Sequence, residues 1–369
     1  MKFLFVATVR SHIGQFHMPL IRALKAAGHT VHAAYRDNSA DKKGLDLSAI
    51  DRVFEVPFER SPYKPGNLLA CKKLKAILDK GDYDIIHCHT PMGAVITRLA
   101  AGKARKRGAK VFYTAHGFHF YRGASKLNWA LYYPVEKLLS GRTDTLITIN
   151  REDHELARSR HFAAGRIVRI DGVGVELDRF RAVTEAERAA ARAELGFSQD
   201  QTVLLYAADL SKRKNQPMLF RALARLKERC PNLLLLLPGQ PILQAEYEQM
   251  CSELGIGHMV RFLGYRRDID RLLAACDAVV SSSRQEGLPL NLIEAAARGR
   301  FIIATDVRGN ADVVRQSGSG VLVKLNDDEA MAAEIAKLCA SAPEAPDRKN
   351  IQCYDSRAIV KTLFDLYGI

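Results

Sequence analysis

The sequence predicts an α/β protein built from two doubly wound domains, and three observations lead to this fold class. Apolar runs of strand length alternate with amphipathic, helix-like stretches along almost the whole chain. Many runs, such as residues 202–208 and 232–238, are continuously apolar, which is typical of parallel strands covered by helices on both faces. The alternation occurs twice, with a break near residues 172–180, and 369 residues exceed the roughly 100–200 of one domain.

The strand candidates divide between two domains, which we place at residues 1–170 and 171–352, with a helix over residues 353–369 at the end of the chain. In the first domain the candidates lie at residues 2–8, 30–35, 52–57, 84–89, 110–116, 145–150 and 166–171. In the second domain they lie at residues 202–208, 232–238, 260–264, 278–283, 300–306 and 320–324.

Helix signals separate the strands of the second domain. A helix predicted over residues 186–196 ends at Gly196, because glycine readily adopts the backbone conformation that follows a helix. A second helix, predicted over residues 216–231, has one proline near its start and another past its end, where neither interrupts its hydrogen bonds. Ligands of such folds bind at the carboxyl ends of the strands, so functional residues are expected there.

The basic charge lies wholly in the first half of the chain. Residues 1–170 contain 29 Lys and Arg against 14 Asp and Glu, whereas residues 171–369 contain 26 against 27, within a net charge of +14. This asymmetry indicates an acidic partner for the first half, either a membrane surface, a phosphorylated lipid or nucleic acid. The alternative is a charged face that only keeps the protein in solution.

The cysteines indicate a reducing compartment. All seven are scattered, odd in number and never arranged as CxxC, which argues against a disulfide framework or a zinc site built on thiolates. The chain begins with a strand-like run, and no apolar stretch approaches the roughly 18–20 residues that span a bilayer. We therefore expect a cytoplasmic protein, peripheral on the cytoplasmic face of the inner membrane.

The stretch SSSRQEGLPLNLIEAAARGR, residues 281–300, carries two glutamates in the order expected of a ligand site. It leaves a strand, turns through a loop with Glu286, enters a helix with Pro289 at its first position, and stops at Gly299. Glu286 is therefore expected at the strand tip, and Glu294 about a turn and a half into the helix. The alternative is that both are ordinary solvated acids.

The start of this helix suits a phosphate group. Residues Gly287, Leu288 and Pro289 precede or begin it, where unpaired N–H groups and the helix dipole attract an anion without a cationic side chain. A carboxylate at Glu294 could accept two hydrogen bonds from a ribose diol, as acidic residues do in dinucleotide sites. Glu286 would then lie near the part of the ligand that is attached to the far side of the phosphates.

EGLPLNLIEA resembles the E-x7-E motif of the family 4 retaining glycosyltransferases, which have the GT-B fold of two Rossmann-like domains facing each other across a cleft. Residues 206–216 are similar to the family's strand–loop–helix segment that ends in a diphosphate-binding lysine, here Lys214. Residues 261–280 resemble the segment that holds the donor base, and residues 302–314 the last βα repeats. The resemblance also implies that the final helix crosses back to the first domain.

One position departs from the family pattern. Many members pair an arginine with the lysine on the diphosphate, where this chain has Asp209. The resemblance then leaves charge compensation to Lys214, Arg213 and the helix N-terminus. We therefore do not assign the function of that arginine to Asp209.

The stretch YTAHGFHF, with NW and YYP after it in residues 113–139, resembles enzymes of bacterial capsule and exopolysaccharide assembly in the same family. The resemblance places His116 beside the reacting sugar, near its 6-hydroxyl, and leaves His119 to approach the acceptor. It also places Gly14 in a loop that closes over the donor phosphates, where a side chain would crowd them. The alternative is that these are ordinary loop residues.

Aromatic and cationic residues interleave between Tyr121 and Leu139, a pattern that suits a bilayer interface. Together with the basic cluster at residues 102–110, it predicts that the first domain docks on an anionic membrane surface. Burial of the aromatic residues in the core or in a dimer is the competing interpretation.

The resemblance implies transfer of a sugar from a nucleotide sugar, with UDP favoured as carrier, to an acceptor hydroxyl with retention of configuration. His116, Glu286 and Lys214 are the expected catalytic residues. An undecaprenyl-diphosphate-linked sugar fits the basic, aromatic first domain as acceptor. The alternatives are a UDP-sugar epimerase of the same fold and a basic nucleic-acid-binding protein, although the latter lacks the sheet pattern of RNA-binding modules.

We expect no cofactor and no metal for this transfer, since Lys214 and the helix N-terminus supply positive charge at the diphosphate. Two DxD sequences, Asp82–Asp84 and Asp268–Asp270, are interpreted as structural. The first precedes a strand, and Asp268 is placed to cap a helix.

Overall fold

The computed structural model forms two compact units and describes residues 1–40, 44–341 and 348–369. The first unit comprises Met1–Gly174 together with Ser356–Ile369, and the second comprises Val175–Asp355. The boundaries drawn from the sequence, after residues 170 and 352, lie a few positions before those of the units.

The first unit is built on one parallel sheet. Its strands are β1 (Lys2–Val9), β2 (Thr30–Arg36), β3 (Arg52–Glu55), β4 (Ile85–His89), β5 (Lys110–Ala115), β6 (Thr145–Thr148) and β7 (Arg166–Arg169). Their order in the sheet is β3-β2-β1-β4-β5-β6-β7, so the chain starts inside the sheet and winds outwards in both directions. This doubly wound order brings the carboxyl ends of β1, β4 and β5 together.

Helices cover this sheet and bury its apolar strands. They are α1 (Arg10–Phe16), α2 (Met18–Ala26), α3 (Gly66–Lys80), α4 (Pro91–Ala100), α5 (Gly102–Lys106), α6 (Lys126–Ser140) and α7 (Arg151–Ser159). Side chains such as Leu4, Val6 and Ile86 are fully buried in the resulting core, as the continuous apolar runs predict.

The second unit repeats the arrangement with six parallel strands. They are β8 (Thr202–Leu205), β9 (Leu233–Pro238), β10 (Val260–Gly264), β11 (Ala278–Ser281), β12 (Phe301–Thr305) and β13 (Gly320–Val323). Their order is β10-β9-β8-β11-β12-β13, in which β8 and β11 lie side by side. The loops that follow these two strands therefore meet at one edge of the sheet.

The second unit has seven α-helices among the residues that the structure describes. They are α8 (Glu185–Glu194), α9 (Gln216–Ala224), α10 (Gln244–Glu253), α11 (Ile269–Ala275), α12 (Leu290–Ala297), α13 (Asn310–Ser317) and α14 (Asp328–Ala340). The prediction that α9 extends to residue 231 is wrong. After Ala224 the backbone tightens into turns, as where the N–H of Leu226 donates to the carbonyl oxygen of Leu223 (2.8 Å).

The last helix, α15 (Ser356–Tyr367), belongs to the first unit. The Tyr367 hydroxyl lies 2.6 Å from Nδ1 of His87, and the Tyr367 ring packs edge-on against Phe3. The end of the chain is thus anchored beneath β1 and β4. Among the helices of the described residues, none is both long and apolar enough to cross a bilayer.

Candidate active site

Glu286 lies in the loop after β11 and is almost fully buried, with 7% of its surface exposed. Its Oε1 accepts a hydrogen bond from the hydroxyl of Ser283 (2.6 Å), which lies just past the end of the strand. The Ser283 hydroxyl is also 2.7 Å from the Tyr206 hydroxyl at the end of β8. The interpretation of Glu286 as an ordinary solvated acid is therefore wrong.

Two cations converge on the Glu286 carboxylate. Nζ of Lys214 lies 2.5 Å from Oε1, and Nη1 of Arg213 lies 3.0 Å from Oε2. Burial on its own would raise the pKa of Glu286, but the charges of Lys214 and Arg213 outweigh it and hold that pKa below its ordinary value. The site therefore holds an ionised carboxylate with two cations beside it.

The loop before α9 brings Lys214 to this place. Asn215, which precedes the helix, adopts a left-handed backbone conformation at φ +55°, and its amide donates to the carbonyl oxygen of Ser282 (3.1 Å). The Tyr206 hydroxyl lies 3.0 Å from the carbonyl oxygen of Lys214. The loops after β8 and β11 are thus joined, so the lysine and the glutamate are held by the same structure.

The segment after Glu286 is supported by the neighbouring connection between β12 and α13. Nε of Arg308 donates to the carbonyl oxygen of Glu286 (3.0 Å). Gly309 has φ +82°, and a Cβ atom at this position would lie 2.6 Å from the carbonyl oxygen of Gly287. Only glycine fits here, because the two backbones approach closely and φ is positive.

Helix α12 begins one residue later than the sequence predicts. Pro289 was expected at the first helical position, but it is the N-cap, with an extended backbone at φ −78° and ψ 112°. Within the part of the chain that the structure describes, the N–H groups at the helix start without a partner in the helix are those of Leu290 and Asn291, since the N–H of Leu292 already donates to the carbonyl oxygen of Pro289. Leu288 packs against the core of this unit.

Glu294 lies inside α12, partly buried beside Arg179 and Asp270. Burial raises the pKa of Glu294 to about 7, even though the charge of Arg179 opposes this shift. Near neutral pH its carboxyl group can therefore both donate and accept hydrogen bonds.

In the first unit, His116 directly follows β5 and lies among other histidines. Its Nε2 is 3.3 Å from Nδ1 of His89 at the end of β4, and its ring packs edge-on against His12 with centroids 4.6 Å apart. Burial lowers the pKa of His116 to about 4, so the imidazole is neutral at physiological pH.

Two family models match the chain. The model "Glycosyltransferase Family 4" matches residues 18–179, and the model "Glycosyl transferases group 1" matches residues 187–353. EpsD of Bacillus subtilis (strain 168), assigned as a glycosyltransferase, is 43% identical over 337 residues, which cover 91% of this chain and 87% of EpsD. The chain belongs to the family 4 glycosyltransferases of GT-B fold.

A more distant relative and a solved structure extend the comparison. The UDP-Gal:α-D-GlcNAc-diphosphoundecaprenol α-1,3-galactosyltransferase of Escherichia coli is 26% identical over 270 residues, covering 72% of this glycosyltransferase and 68% of the relative. HepE of Anabaena, solved in complex with UDP and glucose, superimposes with a TM-score of 0.80 at 22% identity and covers 100% of this chain and 99% of its own. The likeness to HepE supports the fold.

Gly14 of the glycosyltransferase lies inside α1, so its expected position in a loop is wrong. A Cβ atom here would lie 3.0 Å from Cδ1 of Leu45. The glycine thus lets the residue 45 segment pack on α1, a structural reason that does not involve a phosphate. His119, expected to approach an acceptor, stacks on the ring of Tyr132 with centroids 4.6 Å apart.

Two aspartates of the glycosyltransferase have structural partners. Oδ1 of Asp209 accepts from the backbone N–H of Gln240 (3.2 Å), so this side chain ties together the loops after β8 and β9. Asp268 occupies the N-cap of α11 but makes no capping hydrogen bond there, because its carboxylate accepts from Arg266 instead (2.8 Å).

The aromatic residues expected at a membrane interface pack inward. Trp129 and Tyr133 contact Phe120 in the core of the first unit, and Tyr132 also packs against that core. All three side chains are partly buried against the core, which agrees with the competing interpretation and not with exposure at a membrane surface. The opposite face of α6 is exposed and apolar instead, with a stripe formed by Leu127, Ala130, Leu131, Pro134, Val135 and Leu138.

Several residues of the site escaped the sequence analysis. Tyr206, Ser283, Arg308 and Gly309 all contact the loop that carries Glu286 or Lys214. Each lies just past a strand end or at the end of a strand-like run, and all but Ser283 fall in a stretch already matched to the family. Their position there is the signal that could have identified them.

Proposed function

We propose that this glycosyltransferase transfers a sugar from a UDP-sugar to an acceptor hydroxyl with retention of configuration. One observation carries the proposal. The buried carboxylate of Glu286 forms ion pairs with Lys214 and Arg213 at the carboxyl edge of the second sheet. This arrangement combines a hydrogen-bond acceptor for sugar hydroxyls with positive charge for a departing diphosphate.

The cations act on the leaving group. Breaking the anomeric bond leaves negative charge on the diphosphate, and preformed positive charge stabilises it as it develops. Lys214 and Arg213 supply this charge, together with the free N–H groups of Leu290 and Asn291 at the start of α12. Pro289 has no N–H and contributes only by fixing the entry into the helix.

Glu286 changes partner when the donor binds. Without donor, the Glu286 carboxylate forms ion pairs with Lys214 and Arg213. A bound diphosphate would attract both cations away from the carboxylate. Ser283 continues to donate to Oε1 and orients the carboxylate for hydroxyl groups of the donor sugar. Glu294, with a carboxyl group that both donates and accepts near pH 7, binds the ribose diol.

The acceptor proton needs no separate protein base. In a retaining transfer the donor's own phosphate oxygen lies on the same face as the attacking hydroxyl and accepts its proton. His116 is neutral and serves as a hydrogen-bonding partner of the sugar near its 6-hydroxyl. We propose no metal ion for this step.

The relatives support a lipid-linked acceptor. The Escherichia coli relative is named for UDP-galactose as donor and a diphosphoundecaprenol-linked sugar as acceptor, and HepE was solved with UDP and glucose. We extend this to the chain as a hypothesis: a UDP-sugar donor and an undecaprenyl-diphosphate-linked sugar as acceptor, in assembly of a cell-surface polysaccharide.

The exposed stripe of α6 supports attachment to a membrane. Leu127 and Leu138, near the two ends of the helix, are 64% and 78% exposed. Leu68 at the start of α3 is 78% exposed and is followed by exposed Lys72 and Lys73. Apolar side chains flanked by lysines suit an anionic bilayer, where each cation contributes on the order of 1 kcal/mol.

The donor and acceptor are tested by release of the nucleoside diphosphate from a series of UDP-, GDP- and ADP-sugars, with and without lipid-diphosphate-linked sugars. We expect turnover with one donor only when an acceptor is present. Conversion of the donor into an isomer without acceptor would identify an epimerase and contradict the proposal, and so would turnover that strictly requires GDP- or ADP-sugars.

Membrane attachment is tested by sedimentation with vesicles of phosphatidylglycerol and phosphatidylcholine. The double variant Leu131→Gln/Leu138→Gln should lose most vesicle binding, since burial of each leucine contributes roughly 1.5–3 kcal/mol. Ile242→Gln is the matched control, because Ile242 is 65% exposed on the second unit. Equal binding by the double variant and the control would exclude α6 as the attachment surface.

A further inference from the structure

Four histidines of the first unit converge at the carboxyl edge of its sheet. His12 and His17 follow β1, His89 ends β4, and His116 follows β5. Because these three strands are neighbours in the sheet, the four side chains meet although they are far apart in the sequence. One ring nitrogen from each lies within 4.8 Å of the corresponding nitrogen of the other three.

The ring nitrogens of this cluster are poorly satisfied by protein groups. Nε2 of His12, His17 and His89 is buried in each case and has no hydrogen-bond partner among the described residues. His17 is 4% exposed and His89 is fully buried. A buried polar atom without a partner costs about 1–3 kcal/mol, so three in one place require a physical reason.

His87 provides an internal comparison. Its ring lies beside His89, with centroids 4.2 Å apart. Its Nδ1 lies 2.6 Å from the hydroxyl of Tyr367, and its Nε2 lies 2.8 Å from the hydroxyl of Thr114. Both ring nitrogens of His87 therefore have protein partners, whereas among the described residues Nε2 of His12, His17 and His89 has none.

The backbone beside His89 is strained. Thr90 has φ +62°, which is unfavourable for a β-branched residue. The N–H of Thr8 donates to the Thr90 hydroxyl oxygen (2.9 Å) and helps to hold this conformation. Strain of this kind persists only where the surrounding structure holds it, and it is concentrated at functional sites.

We propose that His12, His17, His89 and His116 bind one divalent transition-metal ion, with Zn²⁺ as the probe that defines the site. Imidazole nitrogens are suitable ligands for zinc, copper and nickel, and four of them complete a tetrahedral zinc site. Zinc–nitrogen bonds of about 2.0–2.1 Å place the ligand atoms of a tetrahedral site about 3.3 Å apart. The four ring nitrogens lie within 4.8 Å of one another, so each side chain must move by about 1 Å to coordinate the ion. The ion would bind in the first unit through one ring nitrogen of each histidine, which leaves the second ring nitrogen of His116 for the donor sugar, so zinc binding can be tested separately from the proposed transfer reaction.

The decisive measurement uses tag-free protein stripped with a chelator and then titrated with Zn²⁺ against a chromophoric competitor. We expect one tightly bound zinc per chain. X-ray absorption should show only nitrogen-type neighbours at about 2.0–2.1 Å and no sulfur at about 2.3 Å. Failure to bind one zinc per chain at micromolar concentration, or a sulfur neighbour, would overturn the proposal, because seven cysteines offer the rival ligands.

Variants assign the ligands. His12→Gln and His116→Gln replace the two partly exposed members of the cluster, and each should weaken zinc binding by at least about 100-fold, more than the usual loss of an outer-shell partner. His161→Gln and His258→Gln replace exposed histidines and should bind zinc as the wild type does. Circular dichroism checks folding, and unchanged affinity in both cluster variants would refute the site.

Discussion

Nζ of Lys214 lies 2.5 Å from Oε1 of Glu286, and both side chains are largely buried at the edge of the second sheet. The contact joins two loops that are 72 positions apart in the sequence. A buried cation and a buried carboxylate are each costly alone, so each depends on the other in the free protein. The pair is therefore stable before the donor arrives, and a diphosphate can replace the carboxylate as the partner of the lysine.

Replacing either member of this pair should abolish turnover while the chain stays folded. Lys214→Ala removes charge from the departing diphosphate, and Glu286→Ala removes the acceptor for sugar hydroxyls. We expect each to lower kcat by at least about 100-fold, the usual result of losing one preorganised group that stabilises a transition state. Steady-state release of UDP measures the effect. Lys212→Ala is the matched control, since Lys212 is exposed two positions away, and full activity in either site variant would refute the assignment.

The pKa of Glu294 makes stability depend on pH in a defined direction. Its pKa is raised from 4.5 to about 7 in the folded protein, so between these values the native state binds more protons than the unfolded state. Stability contributed by this group is therefore lost as pH rises from about 4.5 to 7 and stays reduced above that range. Glu294→Gln removes the ionisation and should stabilise the protein by about 1–3 kcal/mol at pH 8, with little effect near pH 4.5.

Urea unfolding at several pH values measures this difference. Glu228→Gln is the control, because that carboxylate is exposed in the same unit. Parallel curves for wild type and Glu294→Gln would show that Glu294 is not the group responsible.

The sequence was sufficient to predict the sheets because strand position depends on local apolar runs, such as Leu233–Pro238 in β9. It placed Glu286 at a strand tip for the same reason. It could not reveal the contact of Arg213 with Glu286, because Arg213 reaches the carboxylate only through the pairing of β8 with β11, which is a long-range contact. It misplaced Gly14 because the resemblance described a ligand loop, whereas this chain continues its helix there.

The histidines illustrate the same limit. Cysteine spacing argued against a local thiolate motif, but it gave no information on His12, His89 and His116, which become neighbours only when β1, β4 and β5 align. Likewise, composition predicted contact of residues 121–139 with a bilayer interface, and only the helical phase of α6 separates its inward aromatic residues from its outward leucines.

The buried pair of Arg98 and Glu136 should be important for the stability of the first unit. Nη1 of Arg98 lies 2.8 Å from Oε2 of Glu136 and joins α4 to α6, with the Arg98 side chain 1% exposed. Glu136→Ala leaves this guanidinium without its carboxylate and should cost about 3–5 kcal/mol in the free energy of unfolding. The double variant Arg98→Met/Glu136→Leu should lose much less, because it leaves no unpaired buried charge.

Lys75→Ala is the control for this prediction, since the pair of Lys75 with Asp79 lies on the exposed face of α3 and should contribute less than about 0.5 kcal/mol. Denaturant unfolding measures all three variants. A loss in Glu136→Ala no larger than that in Lys75→Ala would contradict the prediction.

Gly309→Ala should disturb the site through the backbone. A Cβ atom at Gly309 would lie 2.6 Å from the carbonyl oxygen of Gly287, next to Glu286, so the loop must move as well as accept strain at φ +82°. Gly318 also has a positive φ of +64°, but a Cβ atom there would meet nothing within 4 Å. Both variants should lose roughly 1–2 kcal/mol of stability from the unfavourable φ, and only Gly309→Ala should also lower kcat, by about tenfold or more. Equal kcat values in the two variants would show that the contact between Gly309 and Gly287 does not position Glu286.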